Sequence, residues 1–175
     1  MEKCEQLASF NFCPKCAGAF LDNNIKSRKC GSCGFTYYFN PSAAVAAIIK
    51  NTKGEILVCT RAHEPAKGTF DLPGGFVDCF ESAEQSVSRE VLEECNLEVT
   101  HLKYLFSLPN IYNYSNFDVH TVDMIFECEV SDMESMRADD DVASLQFVAL
   151  EDLDASLFGL PSIRLAVERY KIENQ

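Results

Sequence analysis

Three glutamates could act together in SREVLEECNLEV, residues 88–99: Glu90, Glu93 and Glu94. Spacings of three and four residues bring like charges onto neighbouring helix positions and weaken an isolated helix. Two carboxylates about 5.5 Å apart repel by roughly 3 kcal/mol at an effective dielectric of about 20. At about 100° per residue, Glu93 and Glu94 lie about 60° and 40° to either side of Glu90, so one face carries all three. Arg89 is the one base within the stretch, and no lysine occurs between Lys67 and Lys103. A solvated face would intersperse lysines, whereas hard oxygen ligands on a rigid helix suit Mg²⁺ or Mn²⁺. Taken alone, the helix leaves both readings open.

Sulfur makes the second constellation. Cys13-Pro-Lys-Cys16 and Cys30-Gly-Ser-Cys33 are two CxxC knuckles separated by thirteen residues. Each can place two thiolates on one tetrahedral Zn²⁺, and four thiolates close the shell, which makes such a site structural. A segment of this size buries little core, so metal binding, on the order of 10–16 kcal/mol in small zinc peptides, would supply its folding free energy. Cys4, Cys59, Cys79, Cys95 and Cys128 show no ligand spacing. Cys59, Cys95 and Cys128 sit in apolar segments and read as small buried hydrophobes.

Composition narrows the class. The net charge of −12 argues against a nucleic-acid-binding surface, and it leaves phosphate substrates open because a divalent metal can supply positive charge. The odd count of nine cysteines and a start, MEKCEQLASFNF, without an apolar signal core predict a reducing cytoplasm. The longest apolar run, AAVAAII at 43–49, is too short to span a bilayer, so no membrane role is expected.

The elements that must position these groups follow from patterning. Residues 1–40 are cysteine-rich and Gly-punctuated, and a second texture fills 41–175. The runs PSAAVAAIIK and EILVCTR flank the polar NTKG, which predicts a hairpin over 42–61. A Gly/Pro loop, EPAKGTFDLPGG, precedes a helix at about 82–95. Ser82 and Gln85 make a capping box, and Ala83, Val87, Val91 and Cys95 recur as its inward stripe. Residues 102–107, 118–130 and LQFVAL carry strand signals, and SDMESMRADDD reads as a charged loop. Pro161 opens a second helix with Ile163, Ala166, Val167 and Tyr170 at helical spacing. Strands with two helices predict an α/β fold with a sheet between helices.

Residues 75–97, GFVDCFESAEQSVSREVLEECNL, resemble the Nudix box, G-x5-E-x7-R-E-U-x-E-E-x-G-U, where U is a bulky aliphatic. Gly75, Glu81, Arg89, Glu90, Val91, Glu93, Glu94 and Leu97 match, and Asn96 replaces the final glycine. Asparagine is the next most tolerant residue of a left-handed helix stop, so the departure concerns a cap and no ligand. Leu72-Pro73-Gly74 resembles the approach to the box, and Phe70, which stands where the family often has tryptophan, is by that resemblance a candidate substrate contact.

The resemblance implies an α/β/α sandwich with a mixed sheet over 41–175, preceded by a small zinc ribbon over 1–40. It implies that Glu90, Glu93 and Glu94, with the Gly74 carbonyl, hold Mg²⁺ or Mn²⁺, and that Arg89 and Glu81 orient the glutamates. The general base would be Glu93 or an acid on a later loop. Asp141 falls at such a place, and an acidic surface loop is its other reading. Arg61, His63 and Lys67 could reach substrate phosphates or form a solvated strand end. Tyr112, Tyr114 and Phe117 could stack on a base or pack locally, and His101 and His120 read as structural.

A zinc ribbon ahead of a Nudix domain is similar to NADH pyrophosphatases and to smaller enzymes acting on FAD or ADP-ribose. The first group carries SQPWPFPxS after the box; Ser107-Leu108-Pro109-Asn110-Ile111-Tyr112 keeps its serine, a proline and an aromatic but lacks the tryptophan. The implied activity is metal-dependent hydrolysis of a pyrophosphate bond in ADP-ribose or FAD, or in NADH, with release of AMP. A nucleotide-binding regulatory module without turnover and a pool-sanitising triphosphate pyrophosphohydrolase are the alternatives. The small-molecule partner is a nucleotide, and a homodimer is one assembly the resemblance implies.

Overall fold

A computed structural model describes residues 5–174; Met1–Cys4 and Gln175, and with them Cys4, lie outside the described residues. The chain forms two compact units. One comprises Met1–Pro41 with Asn113–Val119, the other Ser42–Tyr112 with His120–Gln175.

In the first unit β1 (Phe20–Asn24), β2 (Ser27–Cys30) and β3 (Thr36–Tyr38) form an antiparallel sheet in that order. Its small core is Cys13, Phe20 and Cys30, with Phe10 and Tyr37 packed against them. So few apolar side chains offset little chain entropy.

The second unit contains β4 (Ser42–Ile49), β5 (Ile56–Arg61), β6 (Phe70–Asp71), α1 (Ala83–Cys95), β7 (Val99–Tyr114), β8 (Phe117–Val130), β9 (Val142–Val148) and α2 (Pro161–Glu173), of which β7 and β8 run on into the first unit at Asn113–Val119. One sheet has the order β4-β8-β7 with β4 and β8 parallel, and a second has β6-β5-β9 with antiparallel pairs. β7 and β8 join through Ser115-Asn116, where φ values of 52° and 60° match the twist of a two-residue hairpin.

Both β4 and β5 are apolar without alternation because each is covered on two sides. Val45, Ala47, Ile49 and Leu57 pack with Val87, Val91 and Cys95 of α1. Ala46, Ile48, Ile56 and Val58 pack with Ile163, Ala166, Val167 and Tyr170 of α2. Helices thus cover both faces, as the α/β/α expectation requires. Burying a valine or leucine side chain stabilises by roughly 1.5–3 kcal/mol, so the α1 stripe is what docks the glutamate helix.

The predicted hairpin over 42–61 is corrected. Lys50 and Ile56 share one antiparallel bridge, and the Asn51 N–H donates to the Glu55 carbonyl at 3.0 Å, but the two strands then part. β4 is occupied on one edge by β8 and on the other by residues 73–77, through Val45 N–H to Gly75 O at 2.9 Å and Ala47 N–H to Pro73 O at 2.8 Å. β5 instead takes β6 and β9. Both edges of β4 are filled, so no ladder to β5 can form.

Candidate active site

Helix α1 starts as its sequence dictates. The Gln85 N–H donates to Ser82 Oγ at 3.3 Å and the Ser82 N–H to Gln85 Oε1 at 2.8 Å, a complete capping box. It ends at Asn96, with φ 55° and ψ 39°, the left-handed stop expected in place of glycine. The loop that follows β8 satisfies the last carbonyls of α1. Arg137 N–H reaches Cys95 O at 3.0 Å and Asp139 N–H reaches Glu94 O at 3.1 Å. That anchorage carries Asp140 and Asp141 to the edge of a cavity of about 280 Å³ in the second unit.

Glu90, Glu93 and Glu94 line this cavity together with Arg89, Gly74, Gly75, Arg61, Tyr112 and Asp141. Arg89 gathers the acids: its guanidinium donates to Glu81 at 2.7 and 3.2 Å, to Glu90 at 2.9 Å and to Glu93 at 2.9 Å. These charged bonds, with the Asp78 N–H, hold the Glu81 carboxyl down to about 2. Part of the repulsion in the glutamate cluster is therefore already relieved within the protein.

Glu94 stands apart from that relief. It is 8% exposed, and burial pushes its carboxyl up to about 8, against the single Gly74 N–H bond at 2.9 Å. Burial also raises Glu90 above the usual carboxylate range, opposed by Arg89. Buried carboxylates short of positive charge are the donor set a hard divalent cation fits. Backbone geometry makes room for them. A side chain at Gly75 would place its Cβ 2.5 Å from Glu90 Oε1, and one at Gly74 would collide with the Val45 carbonyl.

Other predicted residues divide. Arg61 lines the cavity but is held by Asp71 at 2.5 Å, Pro65 O at 2.7 Å and the Tyr112 hydroxyl at 3.3 Å. Burial raises the Asp71 carboxyl despite Arg61. His63 pairs with Asp141 at 3.7 Å on the exposed rim. Phe70 packs edge-on against Phe158 in the core and does not line the cavity. Lys67, Tyr114 and Phe117 also lie outside its lining.

The deep end of the cavity was not anticipated. Asp123, Asn110 and Thr121 line it, each nearly buried. Asp123 accepts from Thr121 Oγ1 at 2.5 Å, Ser162 Oγ at 2.5 Å and Asn110 Nδ2 at 3.0 Å. The signal was in the strand pattern: Thr121, Asp123 and Ile125 alternate on one face, so a buried Ile125 implies a buried Asp123.

The four cysteines of the first unit also meet. Their Sγ atoms all lie within 4.8 Å of one another, with Cys13–Cys33 at 3.8 Å and Cys16–Cys30 at 3.5 Å. Tetrahedral ligands about 2.3 Å from Zn²⁺ would stand about 3.8 Å apart, so the group is compatible with one ion. The Cys33 N–H donates to Cys30 Sγ at 3.4 Å, and such backbone bonds hold that thiol down to about 6.

Comparison with known proteins gives four findings. Residues 40–168 match the family model described as NUDIX domain. An ADP-ribose pyrophosphatase of Methanocaldococcus jannaschii is 33% identical over 139 residues, covering 78% of this chain and 79% of that protein. An NAD-capped RNA hydrolase NudC of Vibrio vulnificus is 32% identical over 102 residues, 58% of this chain but only 38% of that protein's length. Among solved structures, a NUDIX hydrolase from Nitrosomonas europaea superposes with a TM-score of 0.72, covering 94% of this chain and 92% of that one; at 22% identity this likeness shows the fold alone.

Proposed function

The chain belongs to the NUDIX domain family, and on that premise we propose that it hydrolyses the pyrophosphate bond of ADP-ribose, releasing AMP. The observation that carries this reading is the convergence of Glu90, Glu93 and buried Glu94 on one cavity that also offers Arg61 and Tyr112. FAD and NADH share the AMP half and the same bond. They are the further substrates of the proposal, as the archaeal relative's name favours ADP-ribose and the bacterial relative's name an NAD-derived group.

In this reading Glu90, Glu93, Glu94 and the Gly74 carbonyl would hold Mg²⁺ or Mn²⁺. A divalent cation supplies charge against the phosphate oxygens and lowers the pKa of water. The Gly74 N–H keeps one Glu94 oxygen turned toward the backbone. Arg89, pinned by Glu81, holds Glu90 and Glu93 in register. Glu93, the most solvent-open of the three, takes the proton of the attacking water. Asp141 is the second base in the proposal, because it lines the same cavity from the later loop.

The same proposal assigns one Zn²⁺ to Cys13, Cys16, Cys30 and Cys33, and divides the chain into a ribbon over 1–40 and a catalytic domain over 41–175. It places the protein in the reducing cytoplasm, which suits the buried thiols Cys59, Cys95 and Cys128. Among the described residues no helix is long and apolar enough to cross a membrane. A homodimer, as the resemblance implies, would be read by sedimentation of the purified chain.

The test is a panel of ADP-ribose, FAD, NADH, NAD⁺, dinucleoside polyphosphates and nucleoside triphosphates with Mg²⁺ or Mn²⁺. Cleavage of ADP-ribose to AMP and ribose 5-phosphate in equal amounts is the expected result. Turnover confined to triphosphates would replace it with the pool-sanitising reading. Binding without turnover of any compound would make the chain a regulatory module.

A further inference from the structure

We propose that Asn96 is a positioning residue: its side chain ties the acidic loop over 131–141 to the end of α1 and thereby holds Asp141 at the cavity. The glycine of the box serves as a left-handed stop, and Asn96 does the same, with φ 55° and its N–H on Leu92 O at 2.9 Å. Glycine has no side chain to add. Asn96 Nδ2 donates to Ser135 O at 2.8 Å, a bond across 39 residues of sequence. Ser135 Oγ donates back to Asn96 O at 3.2 Å, so the link is closed in both directions.

From this link the loop climbs the end of the helix in steps of two residues. Ser135 is joined to Asn96, the Arg137 N–H to Cys95 O at 3.0 Å, and the Asp139 N–H to Glu94 O at 3.1 Å. The last step rests on a glutamate of the site itself, and Asp140 and Asp141 line the cavity directly after it. Beyond them the Ala62 N–H donates to Asp141 O at 2.9 Å, and β9 begins. Asp141 is therefore held between two anchors, the end of α1 and the residue that follows β5. The apolar grip on the loop is slight. Met133 and Met136 are partly buried against the core, and the Asp141 side chain is 71% exposed. A segment with few buried contacts owes its order to its hydrogen bonds, so losing one loosens the loop without unfolding the domain. A shift of about 1 Å in a proton-accepting group is enough to slow a reaction.

The tether deepens the proposed hydrolysis by placing its second base, and it rests on that reading only for the rate. Two variants of the full chain test it. Asn96→Gly restores the residue of the box, and Asn96→Asp keeps the size and the left-handed tolerance but has no N–H to donate. Hydrogen exchange is read at the Arg137 and Asp139 amides, without substrate or added divalent cation. Relative to the amides of β5, exchange there should be about fivefold faster or more in both variants.

With ADP-ribose and Mg²⁺, kcat should fall at least about threefold in Asn96→Gly while KM stays within about twofold. In an Asp141→Asn background the same substitution should change kcat by less than about 1.5-fold. A cap acting on helix stability alone would move neither the loop amides selectively nor this coupling. Unchanged relative exchange in both folded variants, or a fall in kcat that persists in the Asp141→Asn background, would overturn the tether. So would kcat at the wild-type level in both variants. Selectively faster loop exchange in a chain that hydrolyses no diphosphate would support the tether and remove the proposed reaction.

Discussion

Replacing Glu94 with glutamine should make the protein more stable in the absence of Mg²⁺ and Mn²⁺, although it removes a group assigned to catalysis. The side chain is 8% exposed and its carboxyl is raised from 4.5 to about 8, chiefly by burial. Between those values the folded state keeps a proton that the unfolded state has lost. Stability contributed at this site is therefore present below about pH 4.5 and is withdrawn as pH rises towards 8. At about 1.4 kcal/mol per pH unit the loss is on the order of 4 kcal/mol once the pH passes 8. Glutamine keeps the shape and can still accept the Gly74 N–H, yet it carries no charge to desolvate. Thermal unfolding at pH 8.5, without added chelator, should show a midpoint higher by on the order of 10 °C for Glu94→Gln. Wild type should also lose stability from pH 5.5 to 8.5 more steeply than the variant. Saturating Mn²⁺ should raise the wild-type midpoint and move the variant far less. A variant no more stable than wild type at pH 8.5 would refute the buried, uncompensated carboxylate on which the cation argument rests.

Other consequences can be read directly. Gly75→Ala should lower turnover at least about tenfold with the fold retained, because its Cβ would stand 2.5 Å from Glu90 Oε1 and displace that carboxylate; steady-state kinetics with a circular dichroism check decides it. Asn96→Gly should alter stability by no more than about 1 kcal/mol, since the freer backbone at φ 55° offsets loss of the 2.8 Å bond to Ser135 O. Asn96→Ala should cost about 1 kcal/mol, read by urea unfolding. Elemental analysis should find about one zinc per chain, and Cys16→Ser should lower it and expose the first unit to proteolysis; a zinc-free, protease-resistant wild type would contradict the cysteine assignment.

The parts legible in the sequence are local ones. The capping box, the α1 stripe and the Asn96 stop each depend on residues within one helix, and helical spacing alone brings Glu90, Glu93 and Glu94 together. The paired knuckles are similarly short-range in each half. Pairing of β4 with β8 in parallel is not, because it joins segments far apart in sequence and needs the whole topology. The same distance hid the deep end of the cavity, where Asn110 of β7, Thr121 and Asp123 of β8 and Ser162 of α2 meet. Phe70 was legible as a position and not as a contact. Its place in the motif suggested a substrate contact, whereas its ring completes the core against Phe158.

The central claim, that the α1 glutamates hydrolyse a nucleoside diphosphate linkage with a divalent cation, meets its most direct test in one rate ratio. AMP release from ADP-ribose is measured at saturating Mg²⁺ or Mn²⁺ for wild type and Glu93→Gln, with unfolding midpoints recorded alongside. Expected is metal-dependent AMP release that falls at least about a hundredfold in the variant while the midpoint stays within a few degrees. Turnover near the wild-type rate in a folded Glu93→Gln would contradict the claim.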